Sequence, residues 1–221
     1  MNINCILFGA INLKKEEIEN KRVIEIGSCN VNGNLRPLLE SYKPKEYIGI
    51  DVMAGPGVDI ICDVKDLVKR FGEQSFDIVL STELLEHVRD WRAAIHNIKT
   101  ICRKGGIILI TCRSFGFGYH GYPSDFWRYE VGDMEYIFSD CTIAKIERDP
   151  ERGVFLKALK PENFAEKDLS GYALYSIVVN KKVRDLSEKD FKRLYFRRLV
   201  LREKLRDFLR RAVDVILCDV K

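Results

Sequence analysis

Val23-Ile24-Glu25-Ile26-Gly27-Ser28-Cys29-Asn30-Val31-Asn32-Gly33 is an apolar run that stops at a glycine and opens into a polar turn closed by a second glycine. A short β-branched run bounded this way reads as a buried strand leading into a turn whose backbone can approach a ligand closely. The same grammar recurs downstream. Leu35 to Tyr42 reads as a helix, and Tyr47 to Ile50 as a second strand ending at Asp51. Val58 to Cys62 is a third strand ending at Asp63, followed by a helix from Val64 to Phe71. Phe76 to Leu80 is a fourth strand closed by Ser81-Thr82, and a helix over about Trp91 to Cys102 is expected to stop at Gly105-Gly106. Ile107 to Cys112 is a fifth strand. Continuous rather than alternating apolar strands imply burial on both faces, as in a parallel sheet covered by helices. Strand–helix repetition then gives an α/β, doubly wound sheet.

The second half is less regular. Arg113 to Tyr129 is rich in glycine and aromatic residues and reads as a long loop, followed by a helix over Val131 to Ser139. Thr142 to Glu147, Val154 to Leu159 and Tyr172 to Val179 are strand candidates, of which two suffice to finish a seven-stranded sheet. Ser187-Glu188-Lys189-Asp190 resembles a capping box opening a helix to about residue 217.

Composition narrows the class. The chain has 221 residues, 46% hydrophobic and 32% charged, which suits one globular α/β domain with additions. No apolar run approaches the roughly 18 residues that cross a bilayer, and the apolar start from Met1 to Ala10 lacks a basic leader. The seven cysteines are scattered with no C-x-x-C pair, so spacing suggests neither a metal nor a redox site, and a reducing cytoplasm is the natural setting. The net charge of +4 conceals an asymmetry: Lys181 to Arg211 holds 13 Lys/Arg and 5 Asp/Glu, leaving a mildly acidic body with a basic tail.

The turn after the first strand carries the chemistry. A dinucleotide site wants G-x-G-x-x-G, with the pyrophosphate on the following helix N-terminus. Here those second and third glycine positions hold Cys29 and Asn32, and the fingerprint fails. An acid two residues before the first glycine suits instead a ligand with an ammonium group and no phosphate, such as S-adenosylmethionine (SAM). Asp51 closes the second strand, where an acid accepts both hydroxyls of a ribose, and Asp63 closes the third, where it can accept an adenine amino group. Asp51 and Asp63 would equally serve as helix N-caps. Every polar position lies at the carboxyl end of a strand, the ligand edge of open α/β sheets.

Together these stretches resemble the class I SAM-dependent methyltransferases, and among them the small, type 11-like domains with a Glu-His pair after the fourth strand. The matching segments are VIEIGSCNVNG (23–33), YIGIDVMAGPGVDIICDV (47–64), FDIVLSTELLEHVRDW (76–91), RKGGIILITCRS (103–114) and GYPSDFWRY (121–129). The resemblance implies a Rossmann-like sheet in the order 3-2-1-4-5-7-6 with the last strand antiparallel. It implies a SAM site in which Glu25, Gly27 and Gly33 shape the methionine end, Asp51 holds the ribose and Asp63-Val64 frames adenine. Ser28, Val52, Met53, Ser81 and Thr82 are the further candidate cofactor-binding residues. The chain departs from the family pattern at Cys29, where many members carry a second glycine.

The acceptor side is less specified. Gly116 to Tyr129 follows the fifth strand and offers aromatic walls with His120, Asp125 and Arg128 as candidate catalytic residues. His120 would be a base for a hydroxyl acceptor, oriented by Asp125; alternatively Trp127, Arg128 and Tyr129 only cap the sheet edge. Glu86-His87 reads as a structural or cofactor-flanking pair. Residues 1–182 are expected to form the methyltransferase domain and 183–221 a basic amphipathic tail, with Leu194, Leu201, Leu205, Phe208, Ala212, Val215 and Ile216 near one helical face. The tail over 187–217 would contact a membrane surface or a second subunit, leaving a cytoplasmic enzyme peripheral to the membrane. The expected activity is methyl transfer to oxygen of a small-molecule, glycan or lipid-linked acceptor. The alternatives are an RNA or protein methyltransferase steered by the tail, and a SAM-binding regulator without turnover. Nucleic acid is the weaker partner, because the fourth strand ends in Ser81-Thr82-Glu83-Leu84 and lacks the [DNS]-P-P-[YF] turn that grips an exocyclic amine.

Overall fold

The computed structural model describes residues 2–121 and 124–218, with side chains to residue 209. Strands β1 (Arg22–Ile26), β2 (Glu46–Asp51), β3 (Ile60–Ile61), β4 (Phe76–Thr82) and β5 (Cys102–Arg113) run parallel. After a short strand β6 (Trp127–Arg128), strands β7 (Thr142–Asp149) and β8 (Gly153–Leu159) form a hairpin whose β8 lies antiparallel against β5. The main sheet is ordered β3-β2-β1-β4-β5-β8-β7, which is the expected order once β6 is set aside. β6 belongs instead to a second, three-stranded sheet with β9 (Leu174–Ser176) and β10 (Lys181–Val183). The spare strand candidate, 172–179, is therefore the one left out of the main sheet.

Alternation along the strands divides the core into two layers. On one face Ile24, Ile26, Val79, Ile108 and Ile110 pack with Trp91, Ile95 and Ile98 of an eleven-residue helix, Trp91–Ile101. On the other, Val23, Ile78, Leu80 and Leu109 pack with Cys5 and Phe8 of the first helix, α1 (Ile3–Asn12). The sequence gives α1 no periodic signal of its own, since Ile3, Leu7 and Ile11 face outward and only Cys5, Phe8 and Gly9 are buried. Four further helices are α2 (Lys15–Ile18), α3 (Arg36–Ser41), α4 (Leu67–Phe71) and, after Trp91–Ile101 as α5, α6 (Val131–Ile137). Beneath α5, the Lys99 ammonium is fully buried against the Asp140 carboxylate (2.6 Å) and the Ile137 carbonyl (2.7 Å).

Several boundaries differ from the sequence reading: the third strand shrinks to Ile60–Ile61, the helix after it begins at Leu67 behind a short 3-10 turn, and α6 ends at Ile137. α5 stops at Ile101, before the glycine pair, because Cys102 already pairs with Phe76 at the start of β5. Gly105, at φ +70°, makes a bend inside β5. The tail is two helices: α7 (Glu188–Phe191) opens with reciprocal Ser187 and Asp190 capping, and the chain breaks at Lys192-Arg193 before α8 (Leu194–Cys218).

α8 also packs by a different face from the one expected. Phe196 is buried edge-on to Tyr119 and Phe191, with Leu199 and Val200 behind it. The expected apolar stripe is exposed: Leu194, Leu201, Leu205 and Phe208 stand at 61, 67, 57 and 67%. Ala212, Val215 and Ile216 lie outside the described side chains. Among the described residues no helix is long and apolar enough to cross a membrane.

Candidate functional site

The carboxyl ends of β1, β2 and β4 bring most of the expected cofactor residues together. Glu25 lies between Gly49 of β2 and Leu80 of β4, buried, and its carboxyl accepts a hydrogen bond from the Tyr47 hydroxyl (2.7 Å). Gly27 sits at φ +80°, where a Cβ would meet Leu84 at 3.2 Å, so only glycine fits beneath the turn that follows β4. The Gly27 and Ser28 amides both donate to the Ile50 carbonyl (2.9 Å each). Asp51 bridges the two walls: it accepts from the Cys29 amide (3.3 Å), the Val52 amide (2.7 Å) and the Met53 amide (3.4 Å). No helix follows Asp51, so it is not a helix N-cap; it ties the turn after β2 to the turn after β1.

The expected adenine end is a surface cleft of about 670 Å³ lined by Val52, Ile61, Cys62, Asp63, Asp66, Lys69 and Arg70. Val52 and Ile61 are exposed apolar side chains there, a surface suited to a flat heterocycle, and Met53 beside Val52 is exposed too. Asp63 lines the cleft while capping the Lys65 amide (3.0 Å). Val64 faces the core, with its carbonyl taken by the Asn97 amide group (2.8 Å). Gly33, at φ +101°, lies against Ile6 of α1. Ser28 and Ser81 are buried with hydroxyl oxygens that have no hydrogen-bond partner among the described residues, and Thr82 is buried next to Ser81.

Burial pushes the Glu25 carboxyl up to about 7, with the Tyr47 hydrogen bond pulling weakly the other way. Its folded value therefore lies above the unfolded value of 4.5, so the stability it contributes is complete below pH 4.5 and is lost as pH rises to about 7. Glu25→Gln is expected to stabilise the protein at pH 8 by about 2–3 kcal/mol and to leave it near wild type at pH 4. Denaturant unfolding at the two pH values measures the difference; equal shifts at both would refute it.

On the expected acceptor side His120 and Asp125 are neighbours, as the sequence reading expects, and a buried pairing of Asp125 with Arg128 is added. Asp125 is buried and accepts from both terminal nitrogens of Arg128 (2.5 and 2.9 Å) and from the His120 amide (2.7 Å). The His120 ring Nδ1 lies 3.0 Å from the same carboxylate. Burial alone would raise Asp125, but the Arg128 and His120 hydrogen bonds outweigh it and hold the carboxyl at about 2. Arg128 also donates to the carbonyls of Phe117, Gly118 and Trp127, so its donors shape the loop. Trp127 donates to the Arg89 carbonyl (3.0 Å) and the Tyr129 hydroxyl to the Leu85 carbonyl (3.2 Å), stitching this segment onto the turn after β4. Tyr122 and Pro123 of this segment lie outside the described residues.

That turn carries three features beyond the sequence reading. Glu83 adopts φ +56° and pairs with Arg113. Glu86 is fully buried, and burial pushes its carboxyl up. His87 is bonded through Nδ1 to the Ser124 carbonyl and stacks edge-on to His120 at 4.8 Å between ring centres; burial, then the nearby His120, push its value down.

A family model described as "Methyltransferase domain" matches residues 7–135, which is more than half of the chain. No curated protein matches the sequence. Solved structures share the fold at low identity. The Burkholderia thailandensis 1,6-didemethyltoxoflavin-N1-methyltransferase, bound to its substrate and S-adenosylhomocysteine, is 14% identical with a TM-score of 0.56, covering 72% of this chain and 79% of that one. An S-adenosylmethionine-dependent methyltransferase from Mesorhizobium loti is 16% identical with a TM-score of 0.52, covering 70% and 96%. The Haemonchus contortus phosphoethanolamine N-methyltransferase 2, in complex with S-adenosyl-L-methionine, is 15% identical with a TM-score of 0.53, covering 73% of this chain and 53% of that one. With that match over β1 to α6, on a Rossmann-like sheet of the expected order, the chain belongs to the methyltransferase domain family.

Proposed function

We propose that the chain transfers a methyl group from SAM to a hydroxyl oxygen of a small-molecule, glycan or lipid-linked acceptor. The observation that carries the reading is a His120–Asp125 pair 3.0 Å apart on the loop that leaves the carboxyl end of β5, the sheet edge that also carries the Gly27 turn. The residues fit the cofactor: a glycine turn that a Cβ would fill, unpartnered Ser28 and Ser81 hydroxyls, a ribose-facing Asp51 and an apolar-edged cleft. Bound SAM supplies a methyl on a sulfonium, which leaves as a neutral thioether when an acceptor oxygen takes the methyl. Asp51 and the Gly27 turn hold and orient the donor, which is most of what in-line transfer needs. Asp125, fixed by Arg128, holds the His120 backbone amide (2.7 Å) and so positions the ring, which takes the hydroxyl proton and passes it to solvent.

His120→Ala is expected to lower kcat about 10²- to 10⁴-fold with little change in SAM affinity. Transfer of labelled methyl from SAM to fractionated lipid, glycan and small-molecule extracts tests the acceptor class. Label recovered only in RNA or protein would overturn it.

The exposed stripe on α8 supports a lipid-linked acceptor. Leu201, Leu205 and Phe208 project from a helix that also carries Arg197, Arg198, Arg202, Lys204 and Arg206, the pattern of a helix lying on an anionic surface. The protein is expected to sediment with phosphatidylglycerol vesicles and not with phosphatidylcholine vesicles. Changing Leu201, Leu205 and Phe208 together to Asp should abolish sedimentation without altering thermal unfolding, since each inserted side chain is worth about 1.5–3 kcal/mol. Equal binding by the triple variant would refute the surface.

A further inference from the structure

The chain has three histidines, and two of them meet around one buried carboxylate. One ligand atom each from Glu86, His87 and His120 lie within 4.8 Å of one another. Glu86 is 0% exposed, and neither of its carboxyl oxygens has a hydrogen-bond partner on another residue. An orphaned carboxyl group in a protein interior is costly and calls for a partner that the described residues do not provide. One imidazole is held from behind: His87 Nδ1 is bonded to the Ser124 carbonyl, which leaves its Nε2 for something else. The His120 ring lies with Nδ1 3.0 Å from the Asp125 carboxylate, and its backbone amide donates to that carboxylate (2.7 Å). A ring nitrogen tied to a carbonyl or carboxylate, with the other nitrogen presented forward, is the outer-shell arrangement of histidines that bind metal.

We propose that Glu86, His87 and His120 form a three-ligand site for a divalent first-row transition-metal cation. Two imidazoles and one carboxylate suit zinc, cobalt, iron or manganese rather than calcium or magnesium. Metal–ligand bonds of about 2.0–2.2 Å bring ligand atoms to roughly 3–3.5 Å apart, so the three side chains close by an ångström or so on binding. Three protein ligands leave a coordination position open, as in catalytic rather than structural sites. The loop after β5 flanks that position, so its natural occupant is an oxygen of the acceptor. The site deepens the proposed function: a coordinated hydroxyl is acidified by the cation and loses its proton to solvent water, and the His120 ring acts as a ligand in place of a base. Only this consequence rests on the proposed function; cation binding is measured without cofactor or acceptor.

The test uses the full chain, without a histidine tag, freed of metal by a chelator and titrated with cobalt(II) and then zinc. One equivalent of cobalt is expected, with visible ligand-field bands that zinc abolishes. His87→Ala, His120→Ala and Glu86→Gln should each weaken binding by more than the 10- to 100-fold typical of outer-shell changes. His96→Ala, at the exposed histidine paired with Glu166, should leave it unchanged. Glu86→Gln preserves shape and His120 is partly exposed, so thermal unfolding of these two shows whether loss of binding is local. Absence of ligand-field bands, their persistence in the His87→Ala/His120→Ala double variant, or a spectrum dominated by thiolate charge transfer would overturn the site. Methyl transfer undiminished in metal-free protein would overturn the coordinated-hydroxyl role while leaving the proposed activity standing.

Discussion

Arg128→Ala is expected to destabilise the protein by about 3–5 kcal/mol, because it strands the buried Asp125 carboxylate without its main partner. Arg128 is 1% exposed and Asp125 0%. The guanidinium makes two hydrogen bonds to the carboxylate and three more to the carbonyls of Phe117, Gly118 and Trp127. Its loss removes the charge partner and loosens the loop that carries His120. For a protein of this size each kcal/mol moves the midpoint by about 2–4 °C, so a fall of roughly 10 °C is expected in thermal unfolding. The double variant Asp125→Ala/Arg128→Ala should be less destabilised than the sum of the two singles, since removing both charges leaves none unpaired. Additive effects would show that the pair is not the structural unit described. Linkage adds a pH signature: Asp125, held at about 2 against an unfolded value of 3.8, contributes stability that is present above pH 3.8 and lost as pH falls toward 2.

Asp51→Ala is expected to weaken SAM binding about 100-fold. The carboxylate stands at the end of β2, and hydrogen bonds to charged groups are worth about 1.5–3 kcal/mol each. Two ribose hydroxyls therefore account for about 3 kcal/mol or more, which is two orders of magnitude in the dissociation constant. Asp51→Asn keeps one carbonyl oxygen for the turn and should lose less. The comparison separates ribose binding from support of the turn, because Asp51 also accepts from the amides of Cys29, Val52 and Met53. If calorimetry with S-adenosylhomocysteine gave the same constant for wild type and Asp51→Ala, the donor would not sit across the β1 and β2 ends.

The parallel half of the fold was legible because β1, β2, β4 and β5 are continuous apolar runs that end in a polar or glycine residue. That is the mark of burial on both faces. Asp51, Asp63 and the Gly27 turn could be read for the same reason, since a strand end fixes which edge of the sheet a residue faces. What escaped was decided by long-range contacts. Residues 174–176 and 181–183 form a separate sheet with 127–128, and runs of two or three residues carry no period to read. The end of α5 at Ile101 follows from pairing of Cys102 with Phe76, which outweighs the later glycine pair. α8 turns Phe196 inward because Tyr119 and Phe191 wait for it, and its more regular stripe is left outside. On the loop after β5, Asp125 and Arg128 pair at a spacing of three residues, whereas nothing local shows that Glu86, His87 and His120 converge.

The central claim is that the ends of β1, β2 and β4 hold SAM. Calorimetric titration of the full chain with SAM and with S-adenosylhomocysteine tests it most directly. Saturable one-to-one binding in the micromolar range, weakened by Asp51→Ala and by Gly27→Val, is the predicted result. No heat at high micromolar ligand, or binding that both variants leave intact, would contradict it.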